Sequence, residues 1–519
     1  MSQFQRLSRL TRVSLAALCA CGALSGFSAD AAAKSITVVV DTAFTTLDPY
    51  DAGDTLSQNV AKSFYEGLFG FDKDMKVIPV LATGYEVSPD GLTYTVKLRD
   101  GVKFSDGTAF TAEAVKLNFE RVTNPEKHLN RYQLYKNIAS VEVKDPLTAV
   151  FHLKEPFSAF INQLAHPSGV MMCPSILGNE KADIAFHPCG TGPYVIEKYN
   201  PAEYLVVKKN PDYWQKGLPK LDGITWKPVP EASTRTAMMR TGEADYVDII
   251  PPESVKILQK SKGVKVILAP SIVERQIYLN TTKKPFDDPR VRQALNYAVD
   301  KEALCKVVYQ NFADPATGVA PVGVDYAKQF GVWPYDLKKA KELLTEAGYP
   351  NGFEATFWAA SNASVYMKLL QFIQQQYAPL GIKLKIQALE SGQRVTLMQT
   401  EGVKTTKLEM ATWGWSSSTG EIDWLLRPLL HSESFPPSNF NFAFYSNPEI
   451  DKAIGDALRT TDRAEKTAIY DRAQEIIWKD APWVFLVVDK IIAAQSEKLT
   501  GFYPLADGGY VFTEADIAD

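Results

Sequence analysis

Cysteine is scarce in this chain and signatures of catalysis are missing. Of five cysteines, Cys19 and Cys21 fall in the first 31 residues, and Cys173, Cys189 and Cys305 show no CxxC spacing of a zinc site or redox pair. In an oxidising compartment Cys173 and Cys189 can close a short loop, provided that their Cα atoms come close enough, which spacing alone does not decide. Cys305 sits in the apolar pattern of a helix and is expected as a buried thiol. The five histidines, at 128, 152, 166, 187 and 431, form no His-Glu-x-x-His, and neither Gly-x-Ser-x-Gly nor Gly-Lys-Ser/Thr occurs. Zincin, nucleophile-elbow and P-loop chemistry therefore have no foothold. Without clustered His or Met, a haem or nickel receptor is disfavoured and no metal or cofactor is expected. No basic stripe with interleaved aromatics exists, so nucleic acid is not an expected partner. After residue 31 no apolar run is long enough to span a bilayer.

What is present begins with a segment shaped for export. Arg6, Arg9 and Arg12 precede the apolar run Val13 to Phe27, and small residues follow at Ala29 to Ala33. This predicts a removable signal peptide over 1-31, cleaved near Ala31 to Ala33, and a periplasmic protein. Lipid attachment at Cys21 is the rival reading of the same segment. Its loss removes three Arg and one Asp, taking the net charge from -4 to -6, a mild acidity that favours solubility. The body is 45% hydrophobic and 22% charged, a globular composition, and its length suggests two or three domains.

The pattern along the body mixes α and β without repeats. Ile36 to Val40 reads as a buried strand and Gly91 to Leu98 as a half-exposed one after the turn Ser88-Pro89-Asp90-Gly91. Helices are predicted from Thr111, whose hydroxyl is placed to cap, from Asp288 through Tyr309, from Leu337 to Ala347, from Val365 to Pro379 and from Ala464 to Lys479. Trp214, Trp226 and Trp483 are expected as packing residues, and His166 as a plain loop histidine in an Ala-His-Pro turn.

Ordered short motifs then carry a family resemblance. Tyr65-Glu66-Gly67-Leu68, Leu98-Arg99-Asp100-Gly101-Val102-Lys103-Phe104, Gly190-Thr191-Gly192-Pro193-Tyr194, Asn210-Pro211-Asp212-Tyr213-Trp214 and Pro285-Phe286-Asp287-Asp288 resemble the extracytoplasmic solute-binding proteins (family 5) of peptide-importing ABC transporters. Within that family, Phe44 to Asp51, Arg131-Tyr132 and Thr412 to Gly420 are most similar to the glutathione-binding component. The resemblance implies an α/β, two-lobed periplasmic-binding-protein fold (class II-like) with an inserted subdomain and an inter-lobe hinge. The implied parts are lobe I at 32-62, 213-283 and 488-519, the inserted subdomain at 63-212 and lobe II at 284-487. The chain would cross between lobes near Tyr278 to Pro285 and return near Val484 to Ala494. The implied role is to capture glutathione in the cleft and hand it to the membrane permease, as a monomer without enzymatic activity. A general di- or tripeptide receptor is the alternative, and an exported hydrolase a remote one.

Such a cleft must answer each charged group of its solute once water is excluded. Arginine forks suit carboxylates, hydroxyls complete the donor set, and a carboxylate is needed for an ammonium. The resemblance points to Thr45, Thr46 and Thr55, to Arg131 and Tyr132, and to Trp415 through Asp423, with Ser416, Ser417 and Ser418 as donors. Arg394, expected at a strand end, is the second carboxylate candidate. Peptide-binding relatives place an aspartate where this chain has Ser418, so Glu421 or Asp423 is expected to take the amine unless it sits elsewhere.

Overall fold

The computed structural model describes residues 34–179, 182–360 and 364–518. The predicted export segment lies outside the described residues. No helix among the described residues is long and apolar enough to cross a membrane.

A mixed sheet of 11 strands is the backbone of the molecule. Strand Ser35–Val40, apolar on both faces, pairs in parallel with Gly223–Pro228 and Tyr246–Val247. Tyr204–Lys209 and Tyr194–Asn200 extend that side. They lie inside the 63-212 range yet belong to the large sheet. On the other side Met410–Ser416, Glu354–Ala360 and Lys383–Leu389 complete the order.

Two long strands join the halves. Val264–Leu279 and Trp483–Ser496 run antiparallel over most of their length. Residues 264–270 pair with 490–496 beside Tyr246–Val247, whereas 274–279 pair with 483–488 and with Met410–Ser416. The register shifts between Pro270 and Glu274 and again between Arg275 and Gln276. A bulge of this kind bends the ribbon and raises its twist.

The helices form where caps and periodicity agree. Asp54, Asp288, Asp300, Asp336 and Asp462 each accept a first-turn N–H. Helix Ala112–Val122 buries Ala112, Val115, Phe119 and Val122, one face at helical spacing. Thr111 occupies its N-cap position but makes no side-chain cap hydrogen bond, contrary to expectation. The single helix predicted from Asp288 to Tyr309 is two, Pro289–Tyr297 and Lys301–Val307. Asp300 accepts from Ala303 N at 2.9 Å and starts the second, a local alternative that competes with continuation.

A smaller antiparallel sheet, Ala82–Val87, Thr93–Leu98, Thr148–Leu153 and Ile138–Asp145, carries helix Ala112–Val122 on one face. It is braced to the main body through the Gly190-Thr191-Gly192 segment. A Cβ on Gly192 would lie 2.4 Å from the Phe64 carbonyl carbon, so only glycine permits this approach. Cys173 and Cys189 form a disulfide with a Cα separation of 5.4 Å, and Cys305 is a buried thiol. Trp226 and Trp483 are fully buried, while Trp214 is half-buried and donates to Glu66 Oε2 at 2.7 Å.

Candidate functional site

The loop after strand Ser35–Val40 gathers the first group of expected contact residues. Thr45 Oγ1 donates to Asp54 Oδ2 at 2.7 Å and Thr45 N to Ser57 Oγ at 2.8 Å. Thr46 Oγ1 accepts from Asp48 N, and Thr55 is exposed at the start of helix Thr55–Ala61. A bidentate Arg121–Asp48 pair at 2.5 and 3.1 Å holds this loop to helix Ala112–Val122.

Arg131, just before the short helix Tyr132–Tyr135, reaches the same loop. Its backbone N donates to Tyr50 O and its Nε to Ala52 O at 2.9 Å. The guanidinium rests against the Gln58 amide, and among the described residues no carboxylate lies within ion-pair distance of it. Burial pushes its pKa down to about 10. Tyr132 follows at the start of the short helix Tyr132–Tyr135.

On the opposite side, Met410–Ser416 ends in a hydroxyl-rich turn. Trp415 Nε1 donates to Trp424 O at 2.6 Å, and its ring packs on Trp424 and Phe440. Ser416 Oγ donates to Asp507 O at 3.1 Å, a bond between the halves. Ser418 N donates to Ser416 O, closing the turn, and Ser417 Oγ is buried without a partner. Buried hydroxyls are rarely left so.

Arg394 lies in the first turn of helix Ser391–Thr400, not at a strand end as expected, because Glu390 caps that turn through Gln393 N. Its Nη1 donates to Thr412 O at 2.5 Å and its guanidinium sits 4.8 Å over the Trp413 ring. Among the described residues its buried Nε has no hydrogen-bond partner and no carboxylate forms an ion pair with it. Burial, with Arg275 nearby, lowers its pKa.

The two expected amine-binding acids are already engaged. Glu421 contacts Lys466 Nζ at 2.5 Å, both side chains being almost fully buried, and burial raises its pKa to about 7. Asp423 accepts a bidentate fork from Arg427, the shorter bond 2.7 Å. The halves meet directly around them. Asn162 Nδ2 donates to Thr419 O at 2.8 Å, Ser158 to Leu458 O and Ala457 O, and the His166 ring stands edge-on to Trp424. His166 lies in the loop after helix Phe160–Leu164 as expected, but it is buried against the other half, and burial drives its pKa down.

Sequence reasoning passed over a third group on the crossing strands. Arg275 Nε donates to Asp489 Oδ2 at 2.7 Å and Nη1 to Tyr366 OH at 2.8 Å. Glu274 and Gln276 lie on the alternate face. The available signal was the charge inside two otherwise apolar runs, Glu274-Arg275 and Asp489-Lys490.

Residues 76–436 match the family model described as bacterial extracellular solute-binding proteins, family 5 middle. This chain belongs to that family. Among family 5 relatives, the glutathione-binding protein GsiB of Salmonella typhi is 53% identical over 517 residues, 100% of both chains. GsiB of Escherichia coli O1:K1 / APEC is 53% identical over 486 residues, 94% of this chain and 95% of its own. Among solved family 5 folds, the periplasmic binding protein DppA of Helicobacter pylori, in complex with the peptide STSA, superposes with a TM-score of 0.82 at 30% identity, covering 93% and 98% of the two chains. The fold is accordingly the two-lobed one of periplasmic binding proteins.

Proposed function

We propose that this protein is the solute-capturing subunit of an ABC importer and that its cargo is glutathione. The observation that carries the reading is the full-length 53% identity to proteins named for glutathione binding. The geometry supports it: Arg131 and Arg394 are part-buried guanidinium groups, one in each half, that form no ion pair with a carboxylate among the described residues. Glutathione has two carboxylates, and an arginine fork meets each in bidentate fashion.

The hinge in this reading is the bulged stretch Pro270 to Glu274 with its partners near Val488 to Lys490, earlier in the chain than Tyr278 to Pro285. Solute bound between the halves stabilises the closed arrangement by contacts that the open one lacks. That arrangement is what the permease recognises. The protein works as a periplasmic monomer after removal of the signal peptide near Ala31 to Ala33, and it binds without catalysis.

Calorimetric titration with reduced glutathione, against a panel of dipeptides and tripeptides, tests the reading. Saturable binding tighter than that of any α-linked peptide supports it. A dipeptide that binds more tightly than glutathione replaces it with the general peptide receptor, and cleavage of the recovered solute replaces it with a hydrolase.

A further inference from the structure

Glu274 lies on the crossing strand Val264–Leu279, immediately after the bulge, opposite Trp415 in the hydroxyl-rich segment's strand. Its residue is 6% exposed, and among the described residues no Lys, Arg or His lies within ion-pair distance of it. Its one side-chain partner is Gln276, whose Nε2 donates to Glu274 Oε1 at 3.0 Å and to Tyr278 OH at 3.3 Å. Gln276 thereby spends its donors and leaves Oε1 buried without a hydrogen bond. The neighbouring Arg275 projects to the other face, where Asp489 and Tyr366 engage it.

The result is a buried cluster in which, among the described residues, one amide N–H is the only side-chain donor to the carboxylate and no cation stands beside it. Glu274 supplies a carboxylate, Gln276 an amide oxygen, and a buried carboxylate without a cation is costly unless it is neutralised. Burial accordingly raises the Glu274 pKa well above its ordinary value. An ammonium group carries one positive charge and three N–H donors, which complements this set. The position is also right for a solute, because Ile272 N donates to Ala506 O of the first half at 2.8 Å while Val273 pairs with Ser416 of the second.

We infer that Glu274, oriented by Gln276, binds the ammonium group of the solute, the role that Glu421 and Asp423 are unable to take while paired with Lys466 and Arg427. This inference rests on the proposed function and adds to it the floor of the cleft as the amine subsite. In glutathione the group concerned is the γ-glutamyl amine.

The test compares wild type, Glu274→Gln and Glu274→Asp in titrations with glutathione and N-acetylglutathione, and in thermal unfolding without solute. In wild type, acetylation is expected to weaken binding at least tenfold. In Glu274→Gln glutathione is expected to bind at least tenfold more weakly, with acetylation now costing little, while the melting temperature without solute stays level or rises. A role in folding alone would lower the melting temperature and leave the acetylation penalty in place. Glu274→Asp, which keeps the charge but retracts it, is expected to fall between, and it stands in if the Gln variant does not fold. An acetylation penalty equal in all three proteins overturns the inference. If wild type does not bind glutathione, the proposed function fails on its own, and the same comparison is made with the amine-bearing peptide that most raises the wild-type melting temperature. If no such peptide raises it, the inference falls too.

Discussion

Arg275 and Asp489 meet at 2.7 Å across the two strands that carry the chain between the halves, one residue past the bulge. The pair is part-buried, with side chains 25% and 23% exposed, so water screens it only partly. It ties the two strands together just past the bulge, so in the closure proposed above the rotation would fall in the irregular stretch beside the pair.

Gly414 makes room for that pair. A Cβ there would lie 2.2 Å from Arg275 Nη1, too close for the guanidinium to stay bonded to Tyr366 and Asp489. Gly414→Ala is expected to destabilise the fold by about 1–3 kcal/mol through overpacking. Urea unfolding measures the loss. A midpoint equal to that of wild type would show that the arginine relocates without cost.

Each unpaired arginine should matter for binding more than for folding. Arg131→Ala and Arg394→Ala each remove a charged donor, worth about 1.5–3 kcal/mol to a partner. Glutathione affinity should fall by roughly tenfold to a hundredfold in each variant, as read by calorimetry. Unchanged affinity in either variant would remove that arginine from the site.

Two buried carboxyls, Glu66 and Glu421, are expected to contribute stability that acid preserves and alkali removes. Burial raises Glu66 and Glu421 to about 7, Glu66 despite hydrogen bonds from Tyr213, Trp214 and Thr191, and Glu421 despite Lys466. Their folded pKa values lie above the unfolded ones, so the folded state keeps protons that the unfolded chain has released. The associated stability is fully present below about pH 4.5 and is lost as pH rises through about 7. Glu66→Gln should lower stability, because one amide oxygen replaces two carboxylate oxygens that take three donors, and should flatten the decline. Denaturant midpoints at pH 5 and pH 7.5 give both quantities, and an undiminished decline in the variant would assign it to other groups.

The disulfide should stabilise the contact loop as well as the fold. Cys173 and Cys189 are 16 residues apart, which corresponds to about 3 kcal/mol of unfolded-state entropy. Within the closed loop, Ala185 O accepts from Leu47 N at 3.3 Å, next to Thr45 and Thr46. The double variant Cys173→Ser, Cys189→Ser should melt at lower temperature and bind glutathione more weakly. Equal melting of the two proteins would show the bridge to be dispensable.

Much of this was legible in local sequence. Alternating or continuous apolar runs marked Ser35–Val40 and Thr93–Leu98, and Asp or Pro-led starts marked the helices, because these depend on neighbours within a few residues. Where local rules competed, reading failed. Asp300 could be read as a polar position on a continuing helix, yet it starts a new one. Arg394 follows the apolar strand pattern closely in sequence, yet Glu390 caps a helix that takes it up.

Sequence alone determined the family and most of the elements, since motifs in fixed order and hydrophobic periodicity are properties of the chain itself. Only tertiary structure decided which charges are spent. Glu421 is paired with Lys466, 45 positions on, and Arg275 with Asp489, more distant still, whereas Glu274, Arg131 and Arg394 form no ion pair among the described residues. Coulomb attraction and desolvation act through distance in space, and only the folded chain sets that distance.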